Sequence, residues 1–222
     1  MIKVGLKLDA FNDVTRRFAI RQVANCAALG VGGIWGVLPA HAGRQKEELL
    51  SDSVRTALSA AVSEAAPPEP VLDKESDRQA YAQWFSASGL SLMKWLPQAI
   101  ERQEFLQTLW YESRRAGLSL SLVLGLIETE SGFRKYAISS AGARGYMQVM
   151  PFWTRTLGHG DQGSLFHMQT NLRFGCVILR YLLDKESGDV FFGLGRYNGS
   201  RGQAAYPNAV TTAQRRWLQA ID

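Results

Sequence analysis

Cysteine and histidine are scarce in this chain of 222 residues, which holds two of the first and three of the second. A disulfide framework is excluded, so any core must hold together by packing alone. Beyond position 42 the only histidines are His159 and His167, with no ligand-spaced cluster around them; no metal site is indicated and no cofactor is expected. Sustained apolar/polar alternation is also missing, which argues against a β architecture. So is a run of Lys and Arg beyond the first 42 residues. The formal charge is +5 and the pI near 9.4, yet five basic and two acidic residues fall in residues 1–42. The remainder carries twenty basic against eighteen acidic residues, too even a balance for a nucleic-acid partner.

What is present first is an N-terminal segment with the layout of an export signal. A basic region ends at Arg21, and the apolar stretch "VANCAALGVGGIWGVL" (residues 23–38) follows. "PAHA" then places Ala40 and Ala42 in the small-residue pattern of a cleavage site. The apolar stretch is short for a membrane span of roughly 20 residues and holds Asn25 and four glycines. Residues 1–42 are therefore expected to be a signal peptide of a periplasmic protein; an uncleaved anchor, the one route to a membrane, is the weaker reading. Arg16-Arg17-Phe18 hints at a twin-arginine signal in a poorly fitting context, so the route of export stays open. Cleavage would remove Cys26 and leave Cys176 alone, a small core residue in a disulfide-free monomer.

Residues 43–77, rich in Ala, Ser, Glu and Pro with "AAPPEP" at 65–70, read as a flexible tether carrying at most a short helix over 47–61. From residue 78 onward helical periodicity dominates. It predicts helices over 98–116, 121–131, 152–157, 169–184, 190–197 and 209–221, with Asp189 as an N-cap and Gly199 as a stop. The fold class is all-α.

The stretch "LVLGLIETESGF" (residues 122–133) sets two carboxylates two residues apart. At 100° per residue Glu130 shares a stripe with Val123, Leu126 and Ile127, whereas Glu128 points away with Ser121, Leu124 and Gly125. A carboxyl against apolar surface at a helix C-terminus resists ionisation, because burial and the macrodipole both disfavour its charge. Such a group can donate a proton to a leaving oxygen. The same geometry also suits a glutamate that only caps its helix or pairs with an arginine.

The residues that follow carry more. "ESGFRKYAISSAGARGYMQVMP" (residues 130–151), then "NLRFGCVILRYLLD" and "GRYNGS", resemble in order and content the catalytic domain of soluble lytic transglycosylases. These are the goose-lysozyme-like, glycoside hydrolase family 23 type. The family's Glu-Ser opening matches Glu130-Ser131, its Gly-Leu-Met-Gln block matches Gly145-Tyr146-Met147-Gln148, and its Ala-Tyr-Asn block matches Arg196-Tyr197-Asn198. The resemblance covers about residues 105 to 217. Tyr146 and Arg196 depart from the usual Leu and Ala.

That resemblance implies a lysozyme-like helical domain over residues 78–222 with a substrate groove. It also implies cleavage of the bond between N-acetylmuramic acid and N-acetylglucosamine in peptidoglycan, leaving 1,6-anhydromuramic ends. Glu130 would act as acid and then as base, Tyr197 would hold its carboxyl, and Ser139, Gln148, Met150 and Asn198 would line the glycan site. Arg134, Arg144, Arg196 and Arg201 are candidates for meeting carboxylates of the polymer. Two other classes stay in view: a hydrolytic muramidase, needing Glu128 or Asp161 to activate water, and a glycan-binding envelope protein without turnover. The glycine pair Gly142 and Gly145 fits either close approach to a ligand or a tight turn.

Overall fold

The computed structural model describes Gln45, residues 47–63 and residues 72–219; the expected signal segment lies outside them. Eight α-helices are found among the described residues: α1 (Asp52–Ser63), α2 (Glu75–Leu92), α3 (Ala99–Arg115), α4 (Leu120–Glu130), α5 (Phe152–Leu157), α6 (Met168–Lys185), α7 (Val190–Asn198) and α8 (Ala205–Gln219), with a 3₁₀ turn at Gly163–Phe166. Two isolated bridges, Ile138 with Arg144 and Arg144 with Val149, are the only β pairing there. The all-α expectation holds. None of the described helices is long and apolar enough to cross a membrane.

At the centre lies α4. Residues 121–127 and Glu130 are all buried, as befits a helix apolar nearly all round. Ser119 caps it, its Oγ accepting from the Leu122 amide at 3.3 Å. α8 runs against α4 at backbone distance, and Gly125 permits this. A β-carbon there would stand 2.6 Å from the Gln214 nitrogen and 2.9 Å from the Val210 carbonyl oxygen.

Beyond α4 the chain turns sharply, and Phe133 sits buried at φ +60°, an unfavourable conformation for a bulky residue. Its ring contacts Trp95 at 5.0 Å, Trp217 at 5.5 Å and Phe105 at 5.8 Å between centroids, and that packing holds the turn. α3 and α6 are joined by a buried charge cluster. Glu112 accepts from Arg173 Nε at 2.9 Å and from Arg115 Nη2 at 2.9 Å. Cys176, also buried, has its thiol pushed up by burial and then by the Glu112 charge, consistent with an inert core residue.

Of the expected tether, residues 64–71 with the Pro-rich stretch lie outside the described residues, and the described parts are packed. α1 packs on α5 and α6 with Val62 buried, and Trp153 donates to Gln45 at 2.7 Å. Glu48 pairs with Lys185 and Arg196, and Glu47 with Arg155. Gln45 and residues 47–63 therefore belong to the helical body, because Leu50, Leu58, Ala61 and Val62 give one face an apolar stripe that the core covers. α2 likewise starts at Glu75, inside the segment expected to be free.

Where other boundaries moved, α8 matters most. It begins four residues earlier than the periodicity suggested, with Pro207 in its first turn. Proline is tolerated there because that amide has no intrahelical acceptor.

Candidate active site

Glu130 ends α4 and is 3% exposed. Its carboxyl is pushed up to about 8, chiefly by burial, with one hydrogen bond pulling the other way. That bond comes from the hydroxyl of Tyr206 in the first turn of α8. The Tyr206 hydroxyl is itself held well above its ordinary value by burial and by the charge of Glu130, so it remains a donor. No second carboxylate acts on Glu130 among the described residues.

This differs from the arrangement expected for Tyr197. Its ring is buried on the same side, and after burial the charge of Glu130 is the largest influence on its hydroxyl. That hydroxyl, however, donates to the Met147 carbonyl at 2.8 Å. Tyr197 thus fixes the loop facing the acid, and Tyr206 holds the acid. α7 places Tyr197 through the Asp189 cap on the Phe192 amide, 3.0 Å, and ends at Gly199 in the left-handed conformation, both as expected.

The loop after α4 is tied back to it. Ser131 Oγ donates to the Tyr146 carbonyl at 2.7 Å and to that of Ile127 at 3.2 Å. Gly145 takes φ +75°, and its close approach is to protein: a β-carbon would lie 2.3 Å from Asn171 Nδ2 and 2.6 Å from the Leu165 carbonyl oxygen. Asn171 then pins the loop, accepting from the Met147 amide at 2.8 Å and donating to the carbonyls of Arg144 and Leu165. Gly142, by contrast, meets nothing within 4 Å, which is the tight-turn reading.

The remaining expected site residues divide. Gln148, buried at φ +50°, donates its amide to the carbonyls of Ala137 and Gly145. Ser139 accepts from the Ala143 amide at 3.0 Å. Both side chains therefore shape the loop through these atoms. Asn198 is buried and donates to Ser200 Oγ, while its Oδ1 has no partner among the described residues. Met150 is half-buried against the core. None of these four hydrogen-bonds Glu130.

Among the arginines, Arg144 donates to the Gln162 carbonyl, and Arg196 and Arg201 both pair with Glu186. Those three are engaged within the protein. Arg134 Nε donates to the Ser131 carbonyl at 2.8 Å, next to Glu130.

Glu128 is occupied elsewhere. Its oxygens accept from Arg216 at 2.6 Å and from Trp217 Nε1 at 2.7 Å, binding α4 to α8. Asp161 caps the amide of Gly163 in an exposed loop. Two clefts bounded by Gln45 and the 47–59 segment are lined by residues such as Glu47, Arg155, Tyr181 and Arg201. Neither reaches Glu130, so cavity size is no guide to the chemistry here. No group of three His, Cys, Asp or Glu side chains among the described residues is placed to hold a metal ion.

Tyr206 and Asn171 escaped the sequence reading. The one available signal for Tyr206 was a tyrosine one residue before a proline that could open a helix; for Asn171 it was a polar residue on the buried face of α6.

Glu130 is thus a buried carboxyl at a helix end, its proton held more tightly than usual and one oxygen gripped by a tyrosine, in an all-helical body. The transglycosylase SLT domain family matches residues 108–219, half of the chain, and the chain belongs to that family. It is 38% identical over 95 residues to the membrane-bound lytic murein transglycosylase C of Histophilus somni (strain 2336), covering 39% of this chain and 26% of that protein. The protein of that name from Actinobacillus succinogenes is 46% identical over 85 residues, 38% of this chain and 21% of the relative. The chain thus spans about a quarter of the length of the curated relatives it matches. An inactive mutant of the lytic transglycosylase Slt from Pseudomonas aeruginosa aligns with a TM-score of 0.41 at 21% identity, over 65% of this chain and 28% of that one.

Proposed function

We propose that this chain is a peptidoglycan lytic transglycosylase of the goose-lysozyme-like, glycoside hydrolase family 23 type, acting in the cell envelope as a monomer exported by its N-terminal segment. The observation that carries the reading is Glu130: a buried carboxyl whose affinity for its proton is raised to about 8, so that it is an acid at neutral pH.

In this reading Glu130 protonates the glycosidic oxygen between N-acetylmuramic acid and N-acetylglucosamine as that bond breaks. The carboxylate left behind then takes the proton of the muramoyl C6 hydroxyl, whose oxygen closes on C1 to give the 1,6-anhydro ring. No water is consumed, and Glu130 ends the cycle protonated. Ordinary glycosidases use two carboxylates; here the substrate's N-acetyl group supplies the second one's stabilisation. Tyr206 keeps the carboxyl aimed in both steps.

The hydrolytic alternative is weakened by the structure's own bonds. Glu128 is committed to Arg216 and Trp217, and Asp161 to its own loop. A purely binding role leaves the raised acid without a use.

Digestion of purified sacculi tests the proposal. Mass spectrometry of the products should find 1,6-anhydromuramoyl ends, lost in Glu130→Gln. Reducing ends would establish the muramidase instead, and intact sacculi would leave only binding.

A further inference from the structure

Tyr136 stands 71% exposed, six residues beyond the acid, and its position is far from loose. A turn closes from the Arg134 carbonyl to the Ala137 amide at 3.2 Å. The Ala137 carbonyl then accepts from Gly145 N at 2.9 Å and from Gln148 Nε2 at 3.1 Å. Beneath the ring lies Phe166, 5.9 Å between centroids and tilted by 44°. Phe166 is in turn backed by the Arg144 guanidinium at 5.6 Å, which is itself anchored on Gln162. The Lys135 ammonium sits 5.5 Å from the Tyr136 ring.

An aromatic ring so placed contributes little to the core, yet both its backbone and the ring under it are fixed. Rigid exposed aromatics of this kind mark recognition surfaces, offering an apolar face with a polar tip at small entropic cost. Its distance from the acid is bounded by the chain. Two successive turns, Ser131 to Arg134 and Arg134 to Ala137, are closed by hydrogen bonds, and each spans less than about 7 Å. The ring is therefore within a few sugar units of Glu130, on the loop that Ser131 ties to the acid's own helix.

We propose that Tyr136, braced by Phe166, is a specificity-determining glycan platform. It stacks on the apolar face of a sugar ring flanking the scissile bond, and the Lys135 ammonium beside it favours strands bearing carboxylates. The proposal rests on the transglycosylase reading for the identity of the sugar, and direct binding measurements separate the two.

The binding experiment uses the full chain in four forms: wild type, Glu130→Gln, and Glu130→Gln combined with Tyr136→Ala or Tyr136→Phe. Binding to a soluble GlcNAc–MurNAc tetrasaccharide and to purified sacculi is measured, and the Tyr136 changes are repeated on the Glu130 background for steady-state kinetics. Tyr136→Ala should weaken tetrasaccharide binding about five- to tenfold, the scale of one aromatic contact, and lower kcat/KM chiefly through KM. Tyr136→Phe should recover most of the loss, with the melting temperature unmoved in both. Unchanged affinity and KM in Tyr136→Ala would overturn the platform even with an active wild type. A Tyr136-dependent affinity in a chain that never cleaves would sustain the platform and sink the transglycosylase reading. Absence of any glycan binding by wild type would overturn both.

Discussion

The hydroxyl of Tyr206 donates to the carboxyl of Glu130 across 76 positions of chain. Two helices meet there, the C-terminus of α4 and the N-terminus of α8. The first of these ends is electrostatically unfavourable for a carboxylate, and burial adds to that. Only the tyrosine's bond pulls the other way.

Glu130→Gln should therefore separate activity from stability. Loss of the acid is expected to cost about 10²- to 10⁴-fold in anhydromuropeptide release. Between 4.5 and about 8 the folded glutamate keeps a proton that the unfolded chain gives up, so the native state loses stability as pH rises through that window. The loss by neutral pH is on the order of 3 kcal/mol. Glutamine carries no such penalty, so the variant should melt higher than wild type at pH 7.5, with the gap closing near pH 4.5. Parallel melting temperatures at both pH values would contradict the buried-acid assignment.

Tyr206→Phe and Tyr197→Phe should fail differently. Removing the Tyr206 hydroxyl takes away the bond that lowers the Glu130 value, so the alkaline limb of the pH–rate profile should move above 8. The rate should fall by about tenfold to a hundredfold as the carboxyl loses its alignment. Tyr197→Phe instead strands the buried Met147 carbonyl. It should cost about 1–2 kcal/mol of stability and leave the alkaline limb in place. Identical pH profiles for the two variants would mean that neither hydroxyl governs the acid.

Gly125→Ala tests the helix contact that brings Tyr206 to Glu130. The added methyl would meet backbone atoms of α8 at 2.6–2.9 Å, and backbone cannot rotate aside as a side chain can. A destabilisation of about 1–3 kcal/mol is expected, with activity falling further than stability because α8 carries Tyr206. A variant as stable and active as wild type would show that the two helices are free to separate.

Glu112→Gln should be among the most damaging changes away from the acid. It removes the carboxylate charge that faces both Arg173, with its side chain buried, and Arg115. Breaking such a group commonly costs about 3–5 kcal/mol. Chemical denaturation should show it as a lowered midpoint, and Arg173→Met in the same background should return part of the loss by removing a buried cation that has lost its Glu112 counter-charge.

The sequence was a good guide wherever the information was local. The 3.6-residue spacing of Val123, Leu126, Ile127 and Glu130 is a property of eleven consecutive residues, and it was enough to mark Glu130 as the buried glutamate. Asp189 and Gly199 close α7 by bonds within the helix's own span, so they too were readable, and helical period throughout determined the all-α class. Tertiary structure decided what depends on meeting across the chain. Pro207 is compatible with the early start of α8, and Gly125 let that helix come close enough for Tyr206, not Tyr197, to donate its hydroxyl hydrogen to the acid's carboxyl oxygen. Asn171 reached a loop 24 residues before it, and α1 found its apolar cover on α5 and α6. Local periodicity states which face of an element must be buried. It does not state which distant surface buries it, because that choice is made by shape and by hydrogen-bond partners that only the folded chain brings within reach.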